Sequence, residues 1–190
     1  MTDTHIIALA DVGLPMIFIE WPLMLCALVP VITLESALIR RWVPLSSSDA
    51  FKGIAAANVV STLIGVPLAW LVMLALQFAI ALPVLSAADK WHWNLEAPVF
   101  QVMGFILNSA WVGDEGESMM WVIPAATALL LIPCFYLSVW IESRVCFRTW
   151  KNSDPGVIRR GIYRANLASY TSLFSLACGW FCYGFFTVKR

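Results

Sequence analysis

Apolar residues in this chain fall in four long runs, separated by short stretches that hold most of the charge. The runs extend from about Leu14 to Leu38, from Gly53 to about Val84, from Met119 to about Ile141, and from about Ala165 to Val188. A helix rising about 1.5 Å per residue needs about 20 apolar residues to cross the hydrocarbon core of a bilayer. All four runs meet that length, so the pattern predicts four transmembrane helices in one membrane domain, residues 1–190. The second run is longer than a crossing needs and contains Pro67, which predicts a kink or marked tilt. A fifth apolar segment, Ala97 to Val112, is short for a crossing. It reads as a helix opening near Asn94, with Pro98 in the first turn, lying in the interface or re-entering on the outer face.

The placement of charge orients these helices. Of the 12 Lys and Arg residues, nine lie in two stretches: Arg40, Arg41 and Lys52, then Arg144, Arg148, Lys151, Arg159, Arg160 and Arg164. Asp3, Asp11, Asp89, Glu96, Asp114, Glu115 and Glu117 occupy the N-terminal tail and the central loop. The positive-inside rule then predicts cytoplasmic basic loops at 39–52 and 142–164, with both termini outside. Lys189 and Arg190 dissent but are outnumbered. Had the segment 97–112 crossed, the second basic loop would lie outside, against this rule. Trp21, Trp42, Trp91, Trp93, Trp121 and Trp150 fall near the expected span ends, where amphipathic rings collect. The leader Met1 to Gly13 has no Lys or Arg, so the first span reads as a retained helix and not as a secretory signal.

Composition narrows the class. The chain is 61% hydrophobic and 13% charged, with a mean hydropathy of +0.79, against the roughly 25% charged usual for a soluble domain. This excludes a soluble enzyme, a disordered chain and a nucleic-acid binder working through a basic surface. The net charge is zero and identifies no partner. The compact loops suit a bacterial cytoplasmic membrane.

An internal duplication is visible. Leu34-Glu35-Ser36, followed by Arg40, Arg41 and Trp42, matches Ile141-Glu142-Ser143, followed by Arg144, Arg148 and Trp150. Ala57-Asn58 with Ser61 matches Ala165-Asn166 with Ser169, and Trp70 and Trp180 follow. Glu and Asn are separated by nearly the same distance in both copies. The reading is two parallel-repeat helical hairpins, about 14–84 and about 119–188, joined by an outer loop at 85–118.

The candidate intramembrane polar site is Glu35, Asn58, Ser61, Glu142, Asn166 and Ser169. Each Asn and the Ser three residues later share a helix face. Glu35 and Asn58 lie at similar depth across the first hairpin, and the second pair, two residues from an Arg on each side, is expected to be shallower. Ionisable groups at depth mark cation or proton pathways. Equally, each Glu can accept a hydrogen bond from its Asn, or snorkel to a cytoplasmic Arg, and lock the hairpin. Glu20, beside Trp21 and Pro22, is expected at the outer interface. Gly53 with Ala57, Ser61 with Gly65, and Ser175 with Gly179 have the four-residue spacing that lets helices approach closely.

Other chemistry is thin. His5 and His92 are both expected outside, so no pair of intramembrane histidines can hold a haem, and Lys90-Trp91-His92-Trp93-Asn94 reads as an interfacial belt. Cys26, Cys134, Cys146, Cys178 and Cys182 avoid the outer loop and read as small apolar residues. No expected span contains Lys, which excludes a retinal Schiff base. Phosphate-binding loops, dinucleotide fingerprints and nucleophile elbows are missing from the sequence. The expectation is therefore a non-enzymatic accessory or structural subunit of a larger membrane complex, without catalytic residues, metal or cofactor. Its expected partners are membrane lipids and either other membrane subunits or itself as a homo-oligomer, with no nucleic acid. The alternative is a small oligomeric transporter or channel using the Glu and Asn pairs. A membrane enzyme acting on lipid or quinone is a weaker third reading.

Overall fold

A computed structural model describes residues 14–109, 111–112 and 119–188. Helix α1 spans Ile17–Ile39, α2 Ser47–Val60, α3 Val66–Trp91, α4 Pro98–Asn108, α5 Met119–Thr149 and α6 Pro155–Val188. A π-helical turn, Ser61–Gly65, joins α2 to α3, so residues 47–91 form one continuous helix. The short segments Leu14–Pro15 (β1) and Trp111–Val112 (β2) pair antiparallel, with Leu14 opposite Val112 and Pro15 opposite Trp111. The N-terminal tail, with His5, and the acidic cluster Asp114, Glu115 and Glu117 lie outside the described residues, as does the side chain of Glu20.

Among the described residues three helices are long and apolar enough to cross a membrane: Trp21–Ile39, the continuous helix Ser47–Trp91, and Met120–Thr149. This is a helical membrane protein. α6 has 34 residues and packs along α5, while α1 contacts α2 and α6, and α2 also contacts α5. The four elements thus close into a ring around a shared interior.

The helices run past the expected span limits, because hydropathy marks the part facing lipid and not the point where a helix ends. The 39–52 loop shrinks to the link between α1 and α2, and most of 142–164 is helical, leaving a short turn before α6. Local capping sets both turns. Ser46 Oγ accepts from the Asp49 amide at 3.1 Å, and Asp154 Oδ1 accepts from the Val157 amide at 2.9 Å ahead of Pro155, which suits a first helical position. As a result the continuous helix 47–91 includes Lys52 and Lys90, both exposed near its ends. The irregularity expected at Pro67 takes the form of the π turn just before it. Proline has no amide proton for the carbonyl four residues back, and a widened turn absorbs the mismatch.

The interior at the basic end contains Ile39, Val43, Ala50, Ile54, Ile158 and Ile162. Trp150 joins it at 6% exposure, so it is a core residue and not part of an interfacial belt. Its Nε1 donates to Asp49 O at 3.3 Å, and its ring covers Gly53 where any Cβ would collide. Gly161 meets Ile39 in the same way. Gly53 therefore does permit a close approach, whereas Gly179 and Ser175 are exposed, with nothing near a Cβ at Gly179.

At the other end, α3 outruns α1. Trp111 Nε1 donates to Gln77 Oε1 at 2.9 Å, and Gln77 Nε2 donates to Asn108 Oδ1 at 2.7 Å. Because Trp111 pairs with Pro15, the start of α1 is level with Gln77. The remaining turns of α3 therefore project about 21 Å further at 1.5 Å per residue. His92 ends α3 in the left-handed conformation at φ 51°, and α4 folds back along α3, shorter than the expected 97–112 segment. Trp93 bridges the tip, with ring centroids 5.4 Å from Trp91 and 5.7 Å from Phe100.

Candidate functional site

Glu35 on α1 and Asn58 on α2 meet inside the ring, with Asn58 Nδ2 donating to Glu35 Oε2 at 2.7 Å. On the other side, Asn166 of α6 donates to Glu142 Oε2 of α5 at 2.6 Å. Each asparagine spends its second amide hydrogen on the carbonyl four residues back, Ile54 or Ile162, at 3.2 Å. These bonds fix the amide orientation.

The serines connect the two hairpins. Ser61 Oγ, at the start of the π turn, donates to Glu142 Oε1 at 2.9 Å. Ser169 Oγ donates to Glu35 Oε1 at 2.5 Å. Each carboxylate thus accepts an amide from its own hairpin and a hydroxyl from the other, with all four oxygens engaged. The spacing of Asn and Ser revealed that they share a face. It carried no sign that this face would reach two carboxylates from different hairpins.

All six residues are at most 5% exposed: Glu35, Asn166 at 0%, Glu142 and Ser169 at 1%, Ser61 at 3% and Asn58 at 5%. The second pair is therefore no shallower than the first. Residues two apart on a helix face different directions, and Arg144 and Arg164 turn outward while Glu142 and Asn166 turn in. The Arg144 guanidinium lies 5.4 Å from the Trp140 ring centroid, and that of Arg164 lies 5.5 Å from the Trp42 ring. Neither Glu snorkels to an Arg, and neither has a basic hydrogen-bond or ion-pair partner among the described residues.

Two details define what the network can do. Asn166 Oδ1 is buried without a hydrogen-bond partner. Each serine hydroxyl also lies 3.1 Å from the carbonyl oxygen of the asparagine three residues before it, so one hydroxyl proton has two acceptors within reach. A proton carried on a glutamate would complete the count by donating to the serine, which would then donate to that carbonyl. The network can hold helices together, and it has room in its hydrogen bonding for a proton.

Elsewhere the chemistry is sparse. Cys134 and Cys146 are buried, but Cys26 and Cys182 are exposed on the bundle surface, outside the core role expected of them. Among the described residues no group of three or more His, Cys, Asp or Glu gathers. The fold and site define a helical membrane protein whose interior is closed by a carboxylate, amide and hydroxyl network. Comparison with known protein families, with characterised proteins and with solved structures gave no match.

Proposed function

We propose that this chain is a small accessory or structural subunit of a larger membrane complex. In this reading four helices cross the bilayer as two parallel repeated hairpins, and the Glu, Asn and Ser network locks the hairpins together. The observation that carries the docking role is the apolar hairpin of α3 and α4, which stands beyond the start of α1. Phe78, Ile80 and Leu82 on α3, with Val99, Val102 and Ile106 on α4, are between 38% and 68% exposed. Large apolar side chains left open in this way favour lipid or another helix as their cover.

The test is mild-detergent purification of the tagged native protein, with size analysis and mass spectrometry of what accompanies it. Stoichiometric membrane proteins are expected, and V99N/V102N/I106N should release them while the chain keeps its folded size. A pure homo-oligomer, unchanged by the triple variant, would overturn the accessory reading.

A second reading is an oligomeric transporter for a proton or small cation. The unpartnered Asn166 Oδ1 and the two buried carboxylates without a cationic partner favour it. E35Q/E142Q in proteoliposomes separates the two. Proton or cation flux that is present in the native chain and lost in the variant, with assembly intact, would establish the pathway. Equal flux in both would reject it.

A further inference from the structure

A cleft of about 870 Å³ opens between α5 and α6 on the outer surface of the bundle, away from the carboxylate network. Its charged wall is made by Arg144, Arg159, Arg160 and Arg164, all exposed. The other wall is Tyr136, Val139, Trp140 and Tyr163. Tyr136 is 67% and Trp140 56% exposed, on a stretch of α5 apolar enough to lie in the membrane. The cleft is therefore graded, cationic toward the turn at 150–154 and aromatic toward the middle of α5.

The basic end is built for an anion. The Arg144 guanidinium lies over Trp140, 5.4 Å from the ring centroid, within cation–π range. Arg160 Nε donates to Gly156 O at 3.2 Å, one of the five N–H donors of that group. Gly156 and Pro155 also line the cleft, which brings the positive end of the long helix α6 to it. Ser143 lines it too, 5% exposed, with a buried Oγ that has no hydrogen-bond partner. Among the described residues no acidic side chain lines the cleft. Asp154, next to it in sequence, is turned to cap Val157.

We infer that this cleft binds an anionic phospholipid, its phosphate headgroup on Arg144, Arg159 and Arg160 and an acyl chain along Tyr136, Val139 and Trp140. Guanidinium groups recognise phosphate through paired N–H donors, and basic pockets between membrane helices on the cytoplasmic side suit anionic headgroups. A free phosphate would leave the aromatic wall unused. The apolar depth of the cleft thus favours an amphiphile.

The test uses the full chain purified in detergent and titrated with short-chain phosphatidylglycerol, phosphatidylcholine or inorganic phosphate, read by native mass spectrometry. Phosphatidylglycerol should bind at least tenfold more tightly than phosphatidylcholine, and R144Q/R159Q/R160Q should abolish that preference. V139W keeps every charge and narrows the apolar wall, so it should weaken phosphatidylglycerol by a similar factor. R148Q/K151Q, which removes basic charge outside the cleft, should bind as the native chain does. Four results would overturn the assignment: no lipid preference, equal loss in R148Q/K151Q, unchanged binding in V139W, or inorganic phosphate binding as tightly as the lipid.

Discussion

Replacing Glu35 by Ala would remove two acceptor oxygens, leaving one amide hydrogen of Asn58 Nδ2 unpaired in the interior and Ser169 Oγ with the Asn166 carbonyl as its remaining acceptor. Each buried polar group left without a partner costs about 1–3 kcal/mol. E35A should therefore lower the unfolding free energy in detergent by about 1–3 kcal/mol, and S169A by less, since one oxygen of Glu35 stays paired. Because these side chains touch, E35A/S169A should be less destabilising than the sum of the single variants. A strictly additive result in that cycle would mean that the hydroxyl does not bind the carboxylate. The pairing of Glu35 with Asn58 and of Glu142 with Asn166 was legible in the sequence, because the repeated spacing placed each pair across one hairpin. The exchange of serines was not, since it depends on how the two hairpins are set against each other. The depth of Glu142, equal to that of Glu35, is hidden from the sequence for a similar reason. Neighbouring arginines suggest the interface, but Arg144 is exposed and points the opposite way around the helix from Glu142.

At the scale of elements, hydropathy located the helices and missed their ends. The polar, basic turns of α5 and α6 read as loop, yet they are ordered by Trp150 and Ile158 in the core and by the cap at Asp154. The α3 terminus shows the converse, an end set by a single backbone conformation. His92 sits at φ 51° and ψ 44°, and its amide donates to Ala88 O, while the Trp93 amide donates to the same oxygen at 3.0 Å. This left-handed stop suits glycine, tolerates asparagine and penalises a β-branched residue. H92G should hold or slightly raise stability, and H92V should lower it by about 1–2 kcal/mol, the cost of forcing a left-handed conformation. Hydrogen exchange of the amides of α4 reads the effect locally. The imidazole reading of His92 as part of an aromatic belt predicts equal loss in both variants, so H92G and H92V separate side-chain packing from backbone geometry.

For the whole molecule, the contacts between Asp49 and Trp150 and between Gly161 and Ile39 bring the α1–α2 link and the α5–α6 turn to one end of the bundle. The tip of the α3–α4 hairpin lies at the other. The structure fixes these ends relative to each other, and only the charge rule assigns them to sides of the membrane. Nine basic residues gather at the first end, against Asp89 and Glu96 near the second. Cysteines placed at Ser48, Asn152 and Glu96, in a chain whose five native thiols are replaced, should divide accordingly under a membrane-impermeant maleimide. S48C and N152C should label only in inverted vesicles, and E96C only in right-side-out cells. The continuous helix 47–91 makes this a demanding test, because its 45 residues span about 68 Å at 1.5 Å per residue, more than the 40–45 Å of a whole bilayer. Labelling of S48C and N152C from opposite sides would contradict the packing at the basic end. Labelling of both from outside would leave the fold intact and reverse its orientation, placing the four arginines of the α5–α6 cleft in the outer leaflet.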